Sequence, residues 1–153
     1  MSAAGVEVEV SGAAEAGIDA AALRTICTQV LAELGIRGPV AVGVTLVGEE
    51  PMRELNAQHR GHDEVTDVLS FPIDGLDDLP GGMERELGDV VICPAQAARQ
   101  ATDAGVTAGD ELRTLLVHGL LHLAGHDHEA DAGQMLQLQD LLCARIAAPG
   151  WTP

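Results

Sequence analysis

Residues 107–128, TAGDELRTLLVHGLLHLAGHDH, decide how this chain folds and what it carries. Thr107 and Asp110 stand at the spacing of a capping box, with Asp in place of the usual Glu, and predict a helix over 108–124. Gly125 stops it, because a left-handed residue there reverses the chain. His118 and His122 are four residues apart, so both rings leave one face of the helix about a turn from each other. His128 follows the glycine and can swing back toward the same point. Three neutral imidazoles would leave a tetrahedral zinc ion with one open position for water, as catalytic sites require. His126 is set aside as pointing elsewhere. Asp127 either orients a ligand imidazole or simply forms the turn.

Working outward, Val6, Val8 and Val10 alternate with polar residues, the period of a half-exposed strand. Residues 12–17 are expected to be a small-residue loop. Asp19 then caps a helix carrying Leu23, Ile26, Val30, Leu31 and Leu34, closed by Gly35. VAVGVTLV at 40–47 is apolar enough for a central strand, and a short helix is expected over 49–58. DVLSFPI at 67–73 reads as a strand whose Pro72 suits an edge or terminus. A Gly-, Pro- and Asp-rich loop precedes a fourth strand at 89–93, and Pro94 opens a helix to about residue 104. A last helix is expected over 131–147, with Met135 on its apolar stripe and so in the core. The fold class expected is α+β: one domain over residues 1–153, a small four-stranded mixed sheet covered by about five helices.

Composition narrows the function. The chain has 153 residues and a formal net charge of −16; its eight basic residues are all arginines. Such a surface repels polyanions at long range, so a basic coat for nucleic acid is excluded, though not a local phosphate site. Cys27, Cys93 and Cys143 are far apart and form no CxxC pair, which predicts buried apolar side chains rather than disulfides or a cysteine metal site. No apolar run reaches the length of a membrane span, and the N-terminus lacks the pattern of a signal peptide, so the expected location is the cytoplasm.

The spacing H-x-x-x-H-x-x-G-x-x-H is that of the metzincin proteases, which carry a general-base glutamate after the first histidine. Here that position is Gly119. Without a base to activate water and carry its proton to the leaving amine, the site makes a poor peptidase.

HGLLHLAGHDH at 118–128, TDVLSFP at 66–72 and GDVVIC at 88–93, with LNAQHRGHDEV leading into the second, resemble the YbeY family of bacterial endoribonucleases. The resemblance implies a zinc-dependent, single-strand-specific endoribonuclease acting in ribosomal RNA maturation and ribosome quality control. It implies one zinc ion on His118, His122 and His128, and a functional arginine at Arg60 that would hold the scissile phosphate. His59 stands where the family commonly has an aromatic ring, Val65 replaces its usual proline, and His126 stands where tyrosine is frequent. Two alternatives stay open: a metalloprotease, and a non-catalytic factor docking on basic ribosomal proteins or a ribosome-associated GTPase, which the acidic surface would suit.

Overall fold

The computed structural model describes residues 5–127 and 129–153. Strand β1 (Val6–Ser11) leads through a one-turn helix α1 (Ala13–Ala16) into α2 (Ala20–Glu33), and β2 (Val40–Leu46) leads into α3 (Glu49–Arg60). Strands β3 (Val68–Pro72) and β4 (Arg85–Ile92) precede three helices, α4 (Pro94–Ala104), α5 (Ala108–Leu123) and α6 (Gln134–Arg145). The sheet order is β1-β2-β4-β3, with β1, β2 and β4 parallel and β3 antiparallel on the edge. This is the mixed four-stranded α+β sheet expected, with β2 inside and Pro72 ending an edge strand.

Three local expectations change. Residues 12–17 are not simply a loop: AAEA forms the turn of α1, entered through Gly12 at φ 83°. A side chain at Gly12 would run into the Leu46 carbonyl, so the glycine is needed for the close approach to β2. Strand β4 begins at Arg85 rather than at residue 89. Its early residues escape the alternation rule because the register with β2 shifts between Ala41 and Val42, skipping Leu87. Helix α3 runs two residues past its expected end, to Arg60, because Gly61 supplies the left-handed cap (φ 74°).

Helix α5 is the centre of the molecule. Leu112, Leu116, Val117, Leu120, Leu121 and Leu123 are essentially inaccessible, and the helix touches β3, β4, α2, α4 and α6. Being apolar nearly all round, it can only be a buried helix. The larger core joins it to α2 and the inward residues Val40, Val42, Val44 and Leu46 of β2. A smaller cluster, Met52, Leu69, Val91 and Cys93, packs α3 on the other sheet face. Cys27 and Cys93 are buried and Cys143 half-buried, all three unpaired. Burial pushes the Cys27 thiol up to about 12, leaving it inert at neutral pH. Among the described residues no helix is long and apolar enough to cross a membrane.

Candidate metal centre and cleft

The two histidine clusters, separate in sequence, meet in one cleft. A cavity of about 490 Å³ between the end of α3, the edge strand β3 and α5 is lined by His59, Arg60 and His62 on one side and His118 and His122 on the other.

Helix α5 fixes the second pair. Thr107 caps it, its hydroxyl accepting from the Asp110 amide at 3.0 Å. His118 and His122 then fall on its cleft side, their rings edge to face with centroids 4.7 Å apart and their Nε2 atoms 3.1 Å apart. Nδ1 of His118 lies 2.7 Å from Oε1 of Gln139 on α6. An amide oxygen only accepts, so this contact matches a His118 ring protonated on Nδ1, with Nε2 facing His122. Nε2 of His122 lies within hydrogen-bond reach of that atom. The donor set suits a borderline cation: two imidazole nitrogens converge on one point of a cleft open to water. The third expected ligand, His128, lies outside the described residues. Among the described residues no group of three metal-ligating side chains is gathered.

Past α5 the chain turns as expected. Gly125 adopts φ 94°, and the His126 amide returns to the Leu121 carbonyl. His126 does not line the cleft. Asp127 takes the turn-forming role: its Oδ1 accepts from the Glu129 amide at 3.0 Å, and its carbonyl from Ala130 and Asp131. Met135 is fully buried in the core.

Arg60 is the last residue of α3 and is exposed. The chain reverses at Gly61, and the buried Asn56 holds the returning loop, its amide donating to the Glu64 carbonyl at 2.9 Å. Asn56 is the one buried polar side chain among the described residues, 3% exposed. Asn56→Leu should therefore cost about 1–3 kcal/mol of stability by orphaning that carbonyl, read as a lower urea midpoint, and should loosen the Arg60 wall of the cleft. The His59 ring rests on Phe71 of β3, centroids 4.4 Å apart, which anchors that rim.

Most arginines are committed elsewhere. Arg53 pairs with Asp63 and Glu50, Arg99 with Glu49, Arg113 with Asp110 and Arg145 with Glu33, while Arg85 caps the carbonyls of Gly75 and Asp77. The Arg53 guanidinium holds the Asp63 carboxyl below the usual carboxylate range. Arg60 has no such partner among the described residues, despite the acidic surface. Within the cleft it is an uncommitted guanidinium, suited to a phosphate.

Asp67 and Ser70, which line the cleft, have structural work. Asp67 accepts from the Val68 amide at 2.7 Å and from Gln100 at 3.1 Å, and Gln100 in turn donates to Glu111 at 2.9 Å. Ser70 donates to the Gly119 carbonyl at 3.0 Å, tying β3 to α5. Asp89 does not line the cleft; its carboxylate covers Gly43 of β2 on a different part of the sheet. Gly119 is a contact, not merely a missing base. A Cβ there would lie 2.6 Å and 3.1 Å from the Val90 methyls and 3.3 Å from Ser70 Oγ.

Two features escaped sequence reasoning. Gln139 could have been noticed as a polar residue on the inward stripe of α6. The packing at Gly119 left only the glycine itself as a signal.

Comparison with known proteins identifies the family. The family model described as endoribonuclease YbeY matches residues 11–147. An endoribonuclease YbeY of Sulfurihydrogenibium is 45% identical over 127 residues, covering 81% of each chain. That of Salinispora tropica is 39% identical over 91% of this chain and 95% of its own. That of Thermobifida fusca is 39% identical over 95% and 94%. Among solved structures, the solution structure of TM1509 from Thermotoga maritima superposes with a TM-score of 0.61 at 28% identity, covering 91% of this chain and 88% of that one. With the family model spanning residues 11–147 and three relatives matching over 81–95% of the chain, this chain belongs to the endoribonuclease YbeY family.

Proposed function

We propose that this chain cleaves single-stranded ribosomal RNA during maturation, using one zinc ion held by His118, His122 and His128, with Arg60 on the scissile phosphate. Family membership makes it an endoribonuclease, a hydrolase of RNA phosphodiester bonds. The observation that carries the finer reading is the convergence of the His118 and His122 Nε2 atoms, 3.1 Å apart, in the cleft that also holds Arg60. A bound divalent cation would polarise a phosphoryl oxygen there and bring the pKa of a coordinated water toward about 7.

The protein's own groups do the rest. Oε1 of Gln139 lies 2.7 Å from Nδ1 of His118, the ring nitrogen that does not face His122. Arg60 offers a fork of donors that does not deprotonate, placing the phosphate and offsetting charge that grows in the transition state. The acidic exterior keeps duplex and bulk nucleic acid from sticking elsewhere, so binding depends on the cleft. The location that fits this substrate is the cytoplasm.

Arg60→Ala tests the role directly. Cleavage of a ribosomal RNA fragment should fall about 10²-fold, the typical worth of one transition-state donor, with zinc content unchanged. Wild-type cleavage by that variant would remove Arg60 from the mechanism.

A further inference from the structure

Helix α6 packs on α5 along an inward stripe of Met135, Leu138, Leu142 and Ile146 at helical spacing. Gln139 lies beside that stripe, four residues after Met135 and three before Leu142, and is itself half-buried. An amide in such a seam weakens packing unless its polar atoms are satisfied. A leucine at this position would extend the apolar contact at no such cost. The core therefore gives no reason for glutamine here.

The cleft does. Oε1 of Gln139 lies 2.7 Å from Nδ1 of His118, within ordinary hydrogen-bond reach. Gln139 also lines the cavity. A free imidazole exchanges its proton between two nitrogens, and only a bare Nε2 can serve as the ligand facing His122. An acceptor at Nδ1 selects that tautomer and fixes the ring's rotation. Ligating histidines characteristically give their second N–H to such an acceptor.

We infer that Gln139 is a positioning residue of the metal centre: its side-chain oxygen holds His118 in the Nδ1–H tautomer, so α6 sets the metal affinity of α5. The inference rests on the metal reading above. Gln139 supplies the acceptor without a charge, so it orients His118 without the added ligand basicity that a carboxylate would bring. The chain thus holds its cation less tightly than a glutamate at this position would allow.

Three proteins test it: wild type, Gln139→Leu and Gln139→Glu, each compared for zinc affinity by chelator competition and for the visible spectrum of its cobalt(II) form. Gln139→Leu should bind zinc about 10–100-fold more weakly and give an altered cobalt spectrum, while the metal-free protein melts no lower than wild type. Gln139→Glu, which can only accept at this position, should bind at least as tightly as wild type and keep its spectrum. Unchanged affinity and spectrum in Gln139→Leu would overturn the inference while leaving zinc-dependent cleavage intact. Equal weakening in both variants would overturn it too, because it would show the amide nitrogen, not the oxygen, facing His118. A wild type that binds no zinc would sink the metal reading and this inference together.

Discussion

Replacing His118 by alanine should abolish zinc binding and RNA cleavage together, with the fold intact. The ring is half-buried at the cleft wall, within hydrogen-bond reach of Gln139 and His122, so its loss opens the cleft rather than the leucine core of α5. Alanine is also the best helix former, which protects the helix itself. What is lost is one nitrogen of the convergent pair. A cation in such a site supplies several kcal/mol of transition-state stabilisation, so single-turnover cleavage should fall on the order of 10³-fold or more. Elemental analysis should show the purified variant depleted of zinc, and chelator treatment of wild type should reproduce the defect. Restoring zinc should rescue the treated wild type and not the variant. Full cleavage by a metal-free His118→Ala protein would mean that the histidines serve something other than catalysis.

How much of this was legible in sequence depends on whether a feature is local. The helix of His118 and His122 was legible because its cap at Thr107, its period and its stop at Gly125 all lie within one stretch. The meeting of Arg60 with that helix was implied by the family resemblance alone, and that of His59 and His62 by nothing in the sequence. It depends on β3 lying at the sheet edge beside β4, which no periodicity specifies. The start of β4 was hidden because a bulge at Leu87 breaks the alternation, and because Arg85 and Glu86 look like loop. Gln139 stands out in sequence only as a polar residue beside the apolar stripe of the last helix, and its partner at Nδ1 of His118 lies on another element. Asp89 lies in the GDVVIC motif, yet its carboxylate sits over Gly43 of β2 and not in the cleft, a placement that the motif alone does not reveal. Local signals thus survive reading from sequence; those that need two distant elements in register do not.

Gly119→Glu, which would complete the metzincin spacing, should strongly destabilise the protein rather than convert it into a peptidase. The argument from sequence was that the missing glutamate leaves peptide hydrolysis without a base. The structure adds that there is no room for it. A Cβ at Gly119 would lie 2.6 Å from a methyl of Val90, and Val90 is fully buried in β4 beneath α5. The helix would have to lift from the sheet, at an overpacking cost of about 1–3 kcal/mol. The carboxylate would then be forced into the packed seam between α5 and β4 beside Val90 and Ser70, adding several kcal/mol or forcing its protonation. The Ser70 bond to the Gly119 carbonyl would be strained by the same displacement. Together these should exceed about 4 kcal/mol, a drop in Tm of about 10 °C or more for a chain of this size. Gly119→Ala separates the terms: it adds only the methyl and gains helix propensity of about 1 kcal/mol, so its net loss should be smaller. Paired with Val90→Ala, which removes the obstructing methyls, Gly119→Ala should cost less than the sum of the two single changes. A Gly119→Glu protein that melts like wild type and digests a peptide library would refute both the packing argument and the exclusion of proteolysis. Close packing of α5 on β4 and the absence of a peptidase base are, on this account, consequences of the same glycine.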